Sequence, residues 1–202
     1  MQTPNPPRSL EATVLLASLR AFPRPGVSSS DLVKERALAR DLYDRVTKGI
    51  EAEDSKMNGH GPSRISRIVG DDFDMHIEIA RLWQTENPDR TMRAIKTAMQ
   101  TGDKQGKTDP RLMNNLGVLH HLDEAYVEAR TLYESAVISA VAMDTAGEGM
   151  STSILYNLAR VYEDLGDESL AHDAYEKLLS RHPEYVDGML RLQVPAMANK
   201  WY

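Results

Sequence analysis

The sequence predicts an all-α protein made of repeated helix pairs, and three observations support this. Two long segments of the chain resemble each other, and both carry small and aromatic residues at the spacing of packed helix pairs. The composition also favours helices over sheets, because aromatic residues make up only 6% of the chain, against 41% hydrophobic and 27% charged residues. We therefore expect a right-handed superhelical solenoid of helix pairs.

The internal repeat aligns a segment beginning at Asn114 with one beginning at Tyr156. A leucine, a small residue, an alanine and a tyrosine recur in both segments at equal spacing. The matched pairs, each 42 residues apart, are Leu116 and Leu158, Gly117 and Ala159, Ala129 and Ala171, and Tyr133 and Tyr175. Small side chains let paired helices approach closely, and aromatic rings fill the space beside them. This is the tetratricopeptide (TPR) pattern, whose usual period of about 34 residues leaves about eight extra residues for a loop, which we place at 144–149.

The helix pairs are predicted to follow one another along the whole chain. We interpret residues 1–202 as a single solenoid segment with helix pairs at about 10–52, 71–102, 109–143 and 151–181, and a partial unit at 184–194. A terminal unit of this kind exposes apolar surface, since each repeat buries its face by stacking on a neighbour.

Local signals predict where individual helices begin and end. Ser30 is expected to cap the second helix, and Ser151 or Thr152 the helix after the predicted loop. Polar residues with two glycines predict a mobile loop from Glu53 to Ser66. Pro195 is expected to interrupt the last helix, because proline lacks the backbone N–H that a helix needs.

Charge and cysteine content exclude several classes of protein. The formal charge is -6 and the basic residues are scattered among carboxylates, so the sequence offers no basic stripe for phosphates, and we expect no direct nucleic-acid binding. The chain contains no cysteine, which excludes disulfides and thiolate zinc sites and is typical of a reducing compartment. The apolar stretch from Ala12 to Leu19 is too short to span a bilayer, so we interpret it as a core helix and expect no membrane contact.

Motifs for catalysis or cofactor binding are not recognisable in the sequence. It contains no nucleophile elbow, phosphate loop or dinucleotide fingerprint. GDKQGK, beginning at Gly102, lacks the spacing of a phosphate loop and is interpreted as an interhelical loop. None of the histidines is expected to share a metal ion with a second ligand three or four residues away. The sequence therefore predicts a protein that is not an enzyme and that needs no cofactor or metal.

A helical-repeat protein presents a groove lined by the first helix of each pair. Repeat positions 5, 9 and 12 are expected to point into it and to bind an extended or helical peptide. The candidate groove residues are Ile77, Arg81, Gln84, Asn114, Val118, His121, Tyr156, Arg160 and Glu163. A partner that wraps the convex side instead would leave these residues merely exposed, and the sequence does not separate the two possibilities.

Longer strings resemble one family, the repeat-containing scaffold subunit of the RNA polymerase II-associated factor complex, which acts in transcription elongation. The strings are IEIARLWQ at Ile77, DPRLMNNLGVLHHL at Asp109, ILYNLARVYEDLG at Ile154 and LLSRHPEYVDGMLRL at Leu178, and GEGMST at Gly147 is similar to fungal members. The resemblance implies a nuclear scaffold without catalysis. Its implied partners are the other subunits of that complex and RNA polymerase II, and it implies support for co-transcriptional histone modification.

The alternative function is a cytosolic peptide-binding adaptor such as a cochaperone. Repeats that hold chaperone tails need lysine, asparagine and arginine together in the groove. The predicted lining has Arg81 and Arg160 but no matching lysines, which favours the elongation scaffold.

Overall fold

The structure is a computed structural model that describes residues 9–22, 26, 28–55, 63–106, 109–143 and 148–198. Within these ranges all regular structure is α-helical. The helices are α1 (Leu10–Ala21), α2 (Ser29–Asp54), α3 (Arg64–Gly70), α4 (Phe73–Trp83), α5 (Pro88–Lys104), α6 (Pro110–Leu122), α7 (Tyr126–Met143), α8 (Glu148–Leu165), α9 (Glu168–Arg181) and α10 (Val186–Ala198). They form two compact units, unit 1 within Met1–Gln105 and unit 2 within Gly106–Tyr202, which are described separately.

Unit 1 contains two helix pairs, α1 with α2 and α4 with α5, and the short helix α3 packs on α1 and α2. Side-chain caps set the helix starts: Asp72 accepts from the backbone N–H of Met75 at 3.2 Å, and Asn87 accepts from Arg90 at 3.0 Å. Pro88 occupies the first turn of α5, where its missing N–H costs no helical hydrogen bond.

Unit 2 contains the pairs α6 with α7 and α8 with α9, followed by α10 packed on α9. The residues that defined the internal repeat lie in the buried interior of this unit. They are Leu116, Gly117, Ala129, Tyr133, Leu158, Ala159, Ala171 and Tyr175. The predicted all-α fold of packed TPR-like helix pairs is therefore confirmed, whereas a single segment over residues 1–202 stays a prediction.

The closest helix approach in the first pair of unit 2 involves Gly117. A Cβ atom at this position would lie 2.6 Å from Cε1 of Tyr133, closer than carbon atoms normally come. The second pair has Ala159 at the equivalent place, fully buried beside the same kind of tyrosine. Gly117 is therefore required by helix packing rather than by a turn.

The turns between paired helices in unit 2 share one backbone conformation. Glu124 follows α6 with φ 59°, and Gly166 follows α8 with φ 79°. The two residues are again 42 positions apart. Glycine enters this left-handed region without penalty, whereas a side chain at Glu124 does so at a cost of about 1 kcal/mol.

Several predicted helix ends were wrong. The cap of α2 is Ser28, whose hydroxyl accepts from the N–H of Asp31, and not Ser30, which lies inside the helix. The predicted loop from Glu53 to Ser66 is shorter than expected: Ser63 caps α3 and Ser66 is buried, with its hydroxyl donating to Glu53 at 2.5 Å. Residues 56–62 of that loop lie outside the described part of the chain.

Other boundaries also differ from the prediction. Helix α8 begins at Glu148, so Ser151 and Thr152 lie within it, and the part of the predicted loop at 144–147 falls outside the described residues. Helix α5 extends to Lys104, so Gly102 is helical and buried. Helix α10 continues past Pro195, because a proline removes only one helical hydrogen bond when its turn can adjust. The stretch from Ala12 to Leu19 is helical but buries only one face, and Leu15 and Leu19 are exposed.

Candidate protein-binding groove

The first helices of the two pairs in unit 2, α6 and α8, lie side by side and are joined by polar contacts. Asn157 donates from Nδ2 to Oδ1 of Asn114 at 2.9 Å. Two helical turns further on, Nε2 of His121 lies 2.7 Å from Oδ2 of Asp164. Each bond connects residues of successive pairs, so they fix the register of α6 against α8.

Glu163 is the centre of a charged cluster that connects α8 to α10. Arg191 donates from a terminal guanidinium nitrogen to Oε2 of Glu163 at 3.0 Å, and Nε of Arg160 lies 3.0 Å from the same oxygen. Burial lowers the pKa of Arg160, but the Tyr156 hydroxyl and the carboxylate of Glu163 outweigh it, so the pKa is raised overall. Both arginines therefore contact the carboxylate of Glu163 and hold it in place.

Tyrosine rings line the same region. The ring of Tyr156 meets that of Tyr185 at a centroid distance of 5.4 Å and that of Tyr175 at 6.2 Å, both tilted by about 60°. Burial, followed by the nearby carboxylate of Glu163, raises the pKa of Tyr175, so its hydroxyl stays protonated. The surface combines the half-buried rings of Tyr156 and Tyr185 with charged groups held by their neighbours, so its side chains have little freedom left to lose.

The structure brings six of the nine predicted groove residues together in unit 2. They are the α6 residues Asn114, Val118 and His121 and the α8 residues Tyr156, Arg160 and Glu163, all half-buried. The other three belong to unit 1, where Ile77 is half-buried, Arg81 is exposed and Gln84 is the exposed C-cap of α4. That any of these residues binds a partner stays a prediction.

Four residues of this surface were missed from the sequence: Asn157, Asp164, Tyr185 and Arg191. Asn157 and Asp164 each follow a predicted groove residue directly, at repeat positions 6 and 13. A prediction that also included the residue after each groove position would have found both. Arg191 was missed for the same reason, because with Met189 and Leu192 in the core places of the partial unit it lies at repeat position 6.

The expectation that no histidine has a second possible metal ligand three or four residues away was wrong for His172. His172 has Glu176 four residues later, with Nδ1 and Oε1 3.8 Å apart, and Asp173 completes a group whose ligand atoms all lie within 4.8 Å of one another. All three side chains are exposed on α9. Exposed acidic groups of this kind are common on helix surfaces and do not define a site.

Comparisons with known proteins support the repeat architecture. The chain is 30% identical over 190 residues to Tetratricopeptide repeat protein 1 of Schizosaccharomyces pombe, covering 94% of this chain and 16% of that protein. It is 24% identical over 169 residues to RNA polymerase-associated protein CTR9 of Caenorhabditis elegans, covering 75% of this chain and 15% of that protein. The chain thus spans only about a sixth of the length of these relatives. No protein-family model matches the chain.

Among solved structures, the crystal structure of BtubC (BKLC) from P. vanneervenii shares the fold. The TM-score is 0.51 at 15% sequence identity, and the match covers 87% of this chain and 74% of that one. Together with the helix pairs of both units, these likenesses define the chain as a TPR-type helical-repeat protein, the class in which paired helices present a protein-binding surface. The comparisons identify no catalytic family.

None of the helices in the described ranges combines the length and the apolar character needed to cross a membrane.

Proposed function

We propose that this chain is a segment of a nuclear scaffold in an RNA polymerase II elongation complex, where it binds other subunits and supports co-transcriptional histone modification. The support comes from the two relatives, of which the nematode protein is named as RNA polymerase-associated. The fission yeast relative matches almost the whole chain. The proposed role is binding, without catalysis.

The groove of unit 2 is the observation that supports the binding part of this proposal. Tyr156, Tyr185, Arg160 and Arg191 form a polar aromatic surface around Glu163. Tyrosine and arginine are the residues that contribute most to protein interfaces, because they combine a large contact area with directed hydrogen bonds. Their side chains are already held by neighbours, so a partner segment would lose little free energy in ordering them.

The experiment is affinity capture of nuclear proteins by the purified chain. The double variant Tyr156→Ala/Arg160→Ala removes a ring and a charge from the groove. The control Leu170→Ala/Lys177→Ala makes similar truncations at exposed positions of α9. We expect the groove variant to retain about tenfold less of the polymerase-associated subunits, and the control to retain as much as the unaltered chain.

A peptide arm of the same experiment separates the scaffold from a cytosolic adaptor. The two groove arginines of unit 2 share the single carboxylate of Glu163, so the three groups together carry +1, and either arginine would have to give up this contact to hold an acidic chaperone tail. Retention of an acidic chaperone C-terminal peptide, with no polymerase-associated subunit captured, would contradict the proposal. Unfolding curves of both variants would show that they remain folded.

A further inference from the structure

Unit 1 contains a cleft of about 860 Å³ on the side of its second helices, α2 and α5. Residues of α3 and α4 also line it. Ion pairs join the elements around it: Arg90 of α5 contacts Asp44 of α2 at 2.6 Å, and Lys104 contacts Asp71, the cap of α3, at 3.2 Å. The cleft lies among residues that no groove prediction included.

The cleft has the opposite charge to the chain as a whole. Six basic and three acidic side chains line it, a net charge of +3, whereas the whole chain carries -6. Arg90 and Lys104 are occupied by the ion pairs above. Four further cations have no ion-pair partner in the described part of the chain, and they are Lys48, Arg67, Arg93 and Lys96. These four come from three helices, so folding brings together charges that are scattered in the sequence.

The floor of the cleft is apolar and its aromatic rings are already engaged. Ile50, Ile79 and Ala94 contribute aliphatic surface. Trp83 lies between the guanidinium groups of Arg40 and Arg90, 5.0 and 4.4 Å from its ring centroid. Aliphatic contacts and unpaired cations are therefore the chemistry that this cleft can offer a ligand.

We infer that this cleft binds an acidic peptide segment of a partner protein in an extended conformation. Along α5 the lining runs from Arg90 to Lys104, about 21 Å at a helical rise of about 1.5 Å per residue. An extended peptide covers that length with about six residues. Its carboxylates would meet the four unpaired cations, and one or two leucine-sized side chains would lie on the floor.

The same lining argues against a nucleic acid. Asp44, Glu51 and Asp71 interrupt the cations, and they would repel a backbone that carries a charge at every step. The ring of Trp83 is sandwiched between arginines and is not free to stack on a base. A peptide can place its carboxylates selectively, which a phosphate backbone cannot.

The test is fluorescence anisotropy with the whole chain and a fluorescein-labelled ten-residue peptide of alternating acidic and leucine residues. The variant Arg93→Glu/Lys96→Glu reverses two of the unpaired cations on α5. The control Arg45→Glu/Lys177→Glu makes the same total charge change at exposed positions outside the cleft. We expect affinity to fall about tenfold or more in the cleft variant, and to stay within about twofold of the unaltered chain in the control.

Three results would overturn the inference. They are equal loss of affinity in both variants, absence of saturable binding by the unaltered chain up to about 1 mM peptide, and tighter binding of an oligonucleotide such as oligo(dT) than of the peptide. Unfolding curves establish that each variant is folded. The cleft variant leaves Tyr156 and Arg160 unchanged, so capture of polymerase-associated subunits through the groove can fail or succeed independently.

Discussion

At the scale of single residues, the two helix pairs of unit 2 each pack a buried tyrosine against a small residue, but the small residue differs. Tyr133 and Tyr175 are almost completely buried at equivalent places. Opposite Tyr133 the chain has Gly117, where a Cβ would lie 2.6 Å from the ring, whereas the equivalent position in the second pair is Ala159. Burial raises the pKa of both tyrosines, which keeps their rings neutral in the interior.

The variant Gly117→Ala tests that close approach. In a helix without such a neighbour, alanine in place of glycine stabilises by about 1 kcal/mol. Here the added Cβ would lie 2.6 Å from the Tyr133 ring, so we expect the free energy of unfolding to fall by about 2 kcal/mol. The measurement is urea unfolding followed by circular dichroism.

Gly70→Ala is the matched control for this substitution. A Cβ there meets only ordinary contacts with Ile50, the nearest at 3.6 Å, so we expect no loss of stability and a gain of at most about 1 kcal/mol. A Gly117→Ala protein that is as stable as the original, or more stable, would show that the helices of this pair are further apart than described.

At the scale of whole elements, polar contacts position the helices that line the groove. Helix α10 meets α8 through Arg191 and Glu163, and through the rings of Tyr185 and Tyr156. Tyr162 points to the other helix of the preceding pair, where its hydroxyl donates to Glu134 at 2.9 Å. Burial, followed by this carboxylate, raises the pKa of Tyr162 to about 12. Helix α8 thus contacts both α10 and α7 through polar side chains within unit 2.

A double-mutant cycle of Glu163→Gln and Arg191→Gln measures the contact between α8 and α10. The pair is partly exposed, with 25% and 41% of the side chains accessible, so solvent screens it. We expect a coupling energy of about 0.5–1 kcal/mol that decreases in 1 M salt. A coupling energy of zero at low salt would mean that α10 is not held to α8 by this pair.

The regular helix pairs were predictable from the sequence, and the reasons are local. Leu116, Ala129 and Tyr133 have identical counterparts 42 residues further on, so the helix pairs of unit 2 and the candidate groove face of α6 could be derived. Helix α3 was not predicted, because seven residues are too few to show a period. Its start depends on Ser63 and on the contact of Ser66 with Glu53, which is thirteen residues away in the sequence.

At the scale of the whole molecule, each unit presents a different surface. Unit 2 carries the polar aromatic groove, and unit 1 carries the basic cleft. The cleft could not be derived from composition, because Lys48, Arg67 and Arg93 are 19 and 26 residues apart and only the packing of α2, α3 and α5 brings them together. The net charge of the chain does not show where its charges lie on the surface, and the binding of a charged partner depends on that placement.

The most direct test of the account is thiol cross-linking between α6 and α8, since the chain has no cysteine of its own. Asn114→Cys/Asn157→Cys places thiols at two side chains that lie 2.9 Å apart on the groove face. Asn115→Cys/Asn157→Cys moves one thiol to the exposed neighbouring position on α6. With a short bis-methanethiosulfonate reagent, we predict rapid intramolecular linkage of the first pair and at least tenfold slower linkage of the second, because residues next to each other on a helix point about 100° apart. Equal rates, or faster linkage through Asn115, would contradict the nesting of the helix pairs on which the groove depends.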